Sequence, residues 1–344
     1  MPRLRRVDPR SPGITRRRRG RGFEYVDARG RAVSDQAALE RIAALALPPA
    51  WKDVWICADA NGHIQAVGTD AAGRRQYRYH DHWRQRRDRA KHDRVLELAA
   101  VLPDLRDHVS KDLASAAGRG PISREAALAL AVRLLDLGFF RIGEERYAAA
   151  NGTFGLTTLQ RDHVRVIDHR IISFDYLAKG SKRRTLQLED PEAAALVARL
   201  KRRGDRTPRL LACSTGSRWC RVTSKDVNDY LREVTGLAVT AKDFRTWHAT
   251  VLMAVALAMS TEATTSQAAR QRAVARAVSE VSHYLGNTPA VCRRSYIDPR
   301  VIDRFNAGDT IRPVMDKLAF GTDPSEPATR GAIEDAVKAL LSAN

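Results

Sequence analysis

Cysteine is scarce: 344 residues contain four, at positions 57, 213, 220 and 292, and none stands in CxxC spacing. That is too few for a disulfide scaffold in a chain this long, so free thiols in a reducing, cytoplasmic compartment are expected. Long apolar runs are missing too. The longest, Val251 to Met259, falls far short of the ~20 residues a bilayer crossing needs, so no membrane partner is expected. Residues 1–22 hold nine Arg, one Asp and no apolar segment, so no secretory signal is expected there. Only 21 Gly and 14 Pro accompany 44% apolar residues, which excludes a collagen-like, low-complexity or wholly disordered chain. Motifs for metals and nucleotides are absent as well. There is no HExxH, no zinc-spaced Cys/His cluster, no phosphate loop ending in Gly-Lys-Ser/Thr and no GxGxxG after a strand. Neither a metal nor a nucleotide cofactor is expected.

Acidic residues are in deficit, 40 against 59 Lys and Arg, which leaves a net charge of +19. Such a balance concerns partners rather than fold, and a polyanion is the natural partner. The excess is concentrated. Beyond the first 22 residues, positions 74–94 carry nine Lys/Arg against three Asp, whereas 315–344 are net acidic. One basic run is ordinarily a solvated face. Two within the first hundred residues, one holding aromatics, point to nucleic acid, with affinity that should collapse at high salt.

The patterning implies an α+β chain: a small, mainly β N-terminal domain and a larger, mostly helical domain holding one β-hairpin. Residues 1–22 are expected to be a basic, disordered arm, 23–88 the β domain and 89–344 the helical domain. Val54 to Cys57, the turn dipeptide Asn61-Gly62, and Ile64 to Val67 predict a hairpin, and Ala72-Gly73 turns into Gln76 to Tyr79. Trp83 through Leu102 reads as a charged helix that Pro103 ends. Ser123 caps an apolar helix ending near Gly138, Thr223 caps one ending at Gly236, and Thr240 with Asp243 starts one through Val251 to Met259. A further helix runs from about Gln267 to Leu285. Ile171 to Glu189 reads as two strands around Lys179-Gly-Ser-Lys182.

Candidate chemistry lies in basic and amide side chains near helix ends. Arg141, in Phe139-Phe-Arg-Ile-Gly143, is by itself an ordinary helix C-terminal cap. Arg245 enters a core helix, where an unpaired charge is costly, so it needs an anion: either a carboxylate or a bound phosphate. Lys179 at a hairpin tip and Tyr296 near the end of a short helix starting at Thr288-Pro289 are unremarkable singly.

Taken in order, Arg141, Lys179, Lys242-x-x-Arg245, Asn287 and Tyr296 resemble the type IB DNA topoisomerases, in particular small bacterial members related to the poxvirus enzymes. The likeness runs over roughly Phe23 to Asp303 and includes Gly73-Arg-Arg-Gln-Tyr-Arg-Tyr-His80, Phe140-Arg-Ile-Gly143, Asn151-Gly-Thr-Phe-Gly-Leu156, Phe244-Arg-Thr-Trp247 and Gly286-Asn-Thr-Pro289 through Ser295-Tyr296. It implies an isomerase that relaxes positive and negative supercoils of double-stranded DNA by transient single-strand cleavage, strand rotation and religation, without ATP or metal. In that scheme Tyr296 forms a 3′-phosphotyrosyl link, Arg141, Arg245 and Asn287 hold the phosphate oxygens, and Lys179 protonates the leaving 5′ oxygen. It further implies DNA contacts by Gln76, Tyr77, Arg78, Tyr79, Arg146 and Tyr147, monomeric action and a nucleoid-associated, cytoplasmic location. The residue types fit the chemistry independently. A phenol with a pKa of about 10 needs a cationic environment to react, and fixed guanidinium forks stabilise a crowded, anionic phosphorus without a metal.

Two positions depart from the family pattern. Asn287 stands where poxvirus-like enzymes often have His, and it donates through an amide without exchanging protons. Ala178 replaces a common Gly before the lysine, and Lys182 sits three residues away at the same tip, so either lysine can be the acid. Two rival readings are a tyrosine recombinase, which usually has His where Lys242 stands, and a nucleoid DNA-binding protein without chemistry.

Overall fold

The computed structural model describes residues 3–118, 120–216, 218–260, 266–318 and 327–343, and the chain divides into two units, Met1–Lys91 and His92–Asn344. Period-two alternation builds the first unit. Strands β1 (Ile14–Arg19) and β2 (Gly22–Val26) are followed by helix α1 (Gln36–Ala44), then by β3 (Lys52–Ile56), β4 (Ile64–Thr69) and β5 (Arg75–Tyr79). The strands pair antiparallel in the order β2-β1-β3-β4-β5. Ile14, Val54, Ile56 and Ala66 bury one face of this sheet with Ile42 of α1.

The basic start is not a disordered arm throughout. Thr15 to Arg19 pairs with Val26 to Gly22 around a turn at Gly20, whose φ is +55°. An arginine run suggests solvated coil, yet long side chains can cover a sheet with their stems and keep their heads wet. Arg16 does this: its guanidinium lies 4.2 Å over the Phe23 ring and donates to the carbonyls of Pro48 and Trp51 at 3.0 and 2.7 Å.

Helix α2 (Asp81–Ala114) starts in the first unit and continues through Pro103, where the sequence predicted a stop. An interior proline costs a helix about 3 kcal/mol. The stripe Val95, Leu98, Leu102, Leu105 and Val109 is buried on both sides of it, and each such side chain returns roughly 1.5–3 kcal/mol.

The second unit then follows the predicted caps closely. Ser123 caps α3 (Arg124–Gly138), and α4 (Glu145–Asn151) leads to the three-stranded sheet of β6 (Val164–Ile167), β7 (Ile171–Ala178) and β8 (Lys182–Glu189). The hairpin β7–β8 is in the predicted place; β6 joins it, and a second hairpin, β9 (Ala212–Thr215) with β10 (Arg218–Arg221), follows α5 (Pro191–Arg202). Thr223 and Thr240 with Asp243 start α6 (Ser224–Thr235) and α7 (Ala241–Ala258), both through capping boxes. After α8 (Gln267–Leu285) come the short helices α9 (Pro289–Ser295), α10 (Pro299–Ala307) and α11 (Arg312–Met315), then α12 (Pro327–Ser342). One core joins these elements, with Phe140, Phe174, Phe244 and Trp247 fully buried in it.

Candidate active site

Two glycine-bearing motifs hold Arg141 in place. Helix α3 ends on Phe139 in a left-handed conformation, φ +53°, uncommon for a residue with a side chain. That turn drops Phe140 into the core and leaves Arg141 at the surface of the unit. The next segment packs back to back on the loop before β6. A Cβ on Gly155 would stand 2.6 Å from the Gly143 backbone and 2.7 Å from the Arg141 carbonyl. Leu156 and Thr157 donate their amides to the Arg141 and Ile142 carbonyls, both at 2.8 Å. The motifs Phe140-Arg-Ile-Gly143 and Asn151 to Leu156 are thus two halves of one backbone clasp.

Arg245 comes from the first two turns of α7 and is 2% exposed. Asn287 sits just after the left-handed Gly286, φ +62°, that ends α8, and Thr288 with Pro289 starts α9. Tyr296 is the residue that closes α9, its amide bonded to the Cys292 carbonyl at 2.9 Å.

These parts converge. The Arg245 guanidinium lies 5.0 Å over the Tyr296 ring and donates to the carbonyls of Leu285, at 2.9 Å, and Phe139. Arg141 donates to the Gly286 carbonyl at 2.9 Å and to the Asn287 side-chain oxygen at 2.5 Å. That bond commits the Asn287 oxygen and leaves its Nδ2 buried with no partner. A third arginine, Arg184 of β8, joins them. Its Nη1 and that of Arg141 lie 3.5 and 3.9 Å from where a Cβ on Gly286 would stand. Among the described residues, none of these three arginines has a carboxylate partner. Guanidiniums several ångströms apart repel by on the order of 2 kcal/mol at an effective dielectric of 20, so the cluster is a concentration of positive charge suited to an anion.

The electrostatics agree. Burial pushes Arg245 down to about 10, with Arg141 adding to the effect and Tyr296 opposing it. Burial alone would raise the Tyr296 phenol, but Arg245, followed by Arg141 and Lys242, outweighs it and holds the phenol below its ordinary value. A cleft of about 690 Å³ runs past Arg141, Lys182, Arg184, Gly286 and Asn287. Lys179 is exposed at the hairpin tip, where Gly180 and Ser181 both have positive φ, and it is not among the residues lining that cleft. Lys182 is.

The family described as the catalytic core of eukaryotic DNA topoisomerase I matches residues 80–309, and the N-terminal domain of bacterial DNA topoisomerase IB matches residues 22–70. The chain belongs to the type IB DNA topoisomerases. DNA topoisomerase 1B of Acanthamoeba polyphaga mimivirus is 28% identical over 291 residues, covering 83% of this chain and 85% of the viral one. Vaccinia virus DNA topoisomerase 1B is 22% identical over 241 residues, 69% of this chain and 71% of its own. DNA topoisomerase 1 of Schizosaccharomyces pombe is 28% identical over 168 residues, 48% of this chain and 19% of its own. The substrate of this isomerase is DNA, and no described helix is long and apolar enough to cross a membrane.

Within the topoisomerase's first unit, β5 splits the four expected DNA-contacting residues between two faces. Tyr77 and Tyr79 stack on each other, centroids 6.0 Å apart, on the side of Val67. Gln76 and Arg78 lie on the other side and already have partners, Asp70 at 2.8 Å and Asp81 at 3.6 Å. In the second unit Arg146 pairs with Glu144 at 2.8 Å and lies over the Tyr147 ring, which is 53% exposed. Arg184 was absent from the sequence-based site, although its signal was present. It shares the period-two face of Leu186 and Leu188, opposite the buried Tyr176, Phe174 and Ile172, and an arginine on an apolar face calls for an explanation.

Proposed function

We propose that this topoisomerase relaxes supercoils of either sign through a phosphotyrosine intermediate carried by Tyr296. The phenolate oxygen attacks a backbone phosphorus; the new Oη–P bond forms as the bond to O5′ breaks, leaving a 3′-phosphotyrosyl end and a 5′-hydroxyl. Arg141 and Arg245 neutralise the non-bridging oxygens, and the unpartnered Nδ2 of Asn287 donates to one of them. Lys179, carried on the hairpin, gives its proton to the departing O5′. The cut strand then turns about the intact one, and the hydroxyl attacks back, returning its proton to Lys179 and releasing the phenolate. The ester keeps the free energy of the broken bond, so no ATP is consumed.

The observation that carries this reading is a phenol with a lowered pKa under a buried arginine, in a cluster of guanidiniums with no carboxylate among the described residues. Preorganised donors of this kind are worth about 10²–10³ in rate each. Tyr77, Tyr79, Arg146 and Tyr147 are exposed or half-buried enough to meet flanking DNA, while Gln76 and Arg78 would first have to exchange their acidic partners. The enzyme is expected to act as a monomer on nucleoid DNA. The test is plasmid relaxation in EDTA without ATP, with a suicide duplex to trap the intermediate. Both signs of supercoil should relax, and peptide mapping should find the nucleotide 3′-linked to Tyr296. Joining of recombination sites without relaxation, or salt-sensitive binding unchanged in Tyr296→Phe with no adduct, would assign the chain to a different activity.

A further inference from the structure

Arg184 lies outside the set of residues to which the proposed chemistry assigns a role. It stands on β8 directly across from Tyr176, its Nη2 donates to the Gly138 carbonyl at 2.9 Å, and its Nε is buried with no partner. Its guanidinium lies 5.9 Å over the Phe140 ring. The neighbouring arginine, Arg183, points to the other face of the strand and is neutralised by Asp175 at 2.7 and 2.6 Å. Arg184 has no such counter-ion among the described residues, yet it shares with Arg141 the space beside Gly286 and lines the cleft that also holds Asn287. One bond to a carbonyl does not explain a half-buried charge next to another cation. A carboxylate-free position beside a repelling guanidinium is stable only when an anion fills the gap, and an arginine fork suits two phosphate oxygens.

We propose that Arg184 is a third phosphate-binding arginine of this enzyme, engaging the reacting phosphodiester together with Arg141. The inference rests on the phosphotyrosine reading given above. With three cations on one phosphate, the cleft binds the crowded, doubly charged phosphorus of the transition state more tightly than it binds the singly charged diester. Gly286 leaves room for both guanidiniums to reach it.

The test uses the full-length protein with Arg184→Gln and Arg184→Lys, each also made in a Tyr296→Phe background so that binding is read without cleavage. Arg184→Gln should slow single-turnover cleavage of a suicide duplex by about 10² and lower the slope of log affinity against log salt by about one phosphate contact. Arg184→Lys keeps the charge, so it should keep the slope while cleaving about tenfold slower for want of the fork. A lowered melting temperature with wild-type slope and wild-type cleavage per folded molecule would overturn the proposal and leave Arg184 a brace for the Gly138 carbonyl. For Arg184→Gln, a reduced slope with an unchanged rate would also overturn it, because the contact would then be to a neighbouring phosphate; so would a slower rate with an unchanged slope in that variant. If Arg184→Gln does not fold, Arg184→Lys decides, and a wild-type cleavage rate there overturns the proposal. Failure of wild-type enzyme to form the Tyr296 adduct would instead strike the underlying chemistry, and the slopes measured in the Tyr296→Phe background would still show whether Arg184 contacts a phosphate.

Discussion

Two of the arginine clusters in the second unit differ in what surrounds them. In one, Arg106 of α2 and Arg330 of α12 grip Asp136 of α3 and Glu334 of α12, with His248 of α7 completing the group. Every guanidinium there has a carboxylate within 3.3 Å. In the other, the partners of Arg141, Arg184 and Arg245 among the described residues are carbonyls, one amide oxygen and the Tyr296 phenol, with no carboxylate. Arg106, Arg330, Arg141 and Arg184 are all half-buried and Arg245 is buried, so exposure to water does not set the two apart. The counter-ion distinguishes a cluster that fastens helices together from one to which the proposed chemistry assigns a phosphate. They are also neighbours: Phe139 sets its ring edge-on to His248, 5.1 Å between centroids, and gives its carbonyl to Arg245. The paired cluster braces the frame on which the unpaired one stands.

The sharpest way to break this comparison is at the cleavage step. Arg245→Ala or Arg141→Ala should slow single-turnover cleavage by about 10²–10³ while leaving the melting temperature close to wild type, since each removes an uncompensated charge; a large loss of stability would place them in the bracing class. Next in size, Lys179→Ala should cost about 10² on a normal duplex. It should recover on a duplex whose 5′ bridging oxygen is sulfur, because a thiolate leaves without a proton. Should Lys182→Ala show that loss and rescue instead, the acid is the lysine that lines the cleft. Smallest on the chemical step is Asp136→Asn, which should cleave at the wild-type rate per folded molecule. Its effect belongs to stability: urea unfolding should show a loss of about 3–5 kcal/mol, the usual result of stranding buried cations.

The pH dependence of stability separates the clusters too. Burial would raise the carboxyls of Asp136 and Glu334, but Arg330 and Arg106 hold both below their ordinary values. A depressed carboxylate contributes stability that is present above its unfolded value, near 4, and is lost as pH falls through the lower folded value. Wild type should therefore lose stability on acidification below about pH 4, and Asp136→Asn should flatten that loss.

Much of the frame was legible in order along the chain. Caps at Ser123, Thr223 and Thr240, the stop at Gly236, the turn at Asn61-Gly62 and the hairpin around Lys179 are written in residues a few positions apart, where local hydrogen bonding decides the outcome. Legibility failed where a distant partner outweighed a local signal. The arginines of β1 became a strand because Phe23 and the carbonyls of Pro48 and Trp51 receive Arg16. Pro103 stayed inside α2 because buried leucines flank it. Arg141, Arg245, Asn287 and Tyr296 were nameable through the resemblance to the family, and the fold brings them together. Arg184 went unnamed because its alternation with Leu186 and Leu188 does not show which groups the fold sets beside it.

By itself, the sequence determined the helices and hairpins, the excess of positive charge and the order of residues that marks the family, since each of these is local or additive. Only the tertiary structure decided which arginines are neutralised. A counter-ion can come from anywhere in the chain, as Glu334 does for Arg106, 228 residues away, and its absence around Tyr296 among the described residues is a property of packing that no stretch of sequence displays.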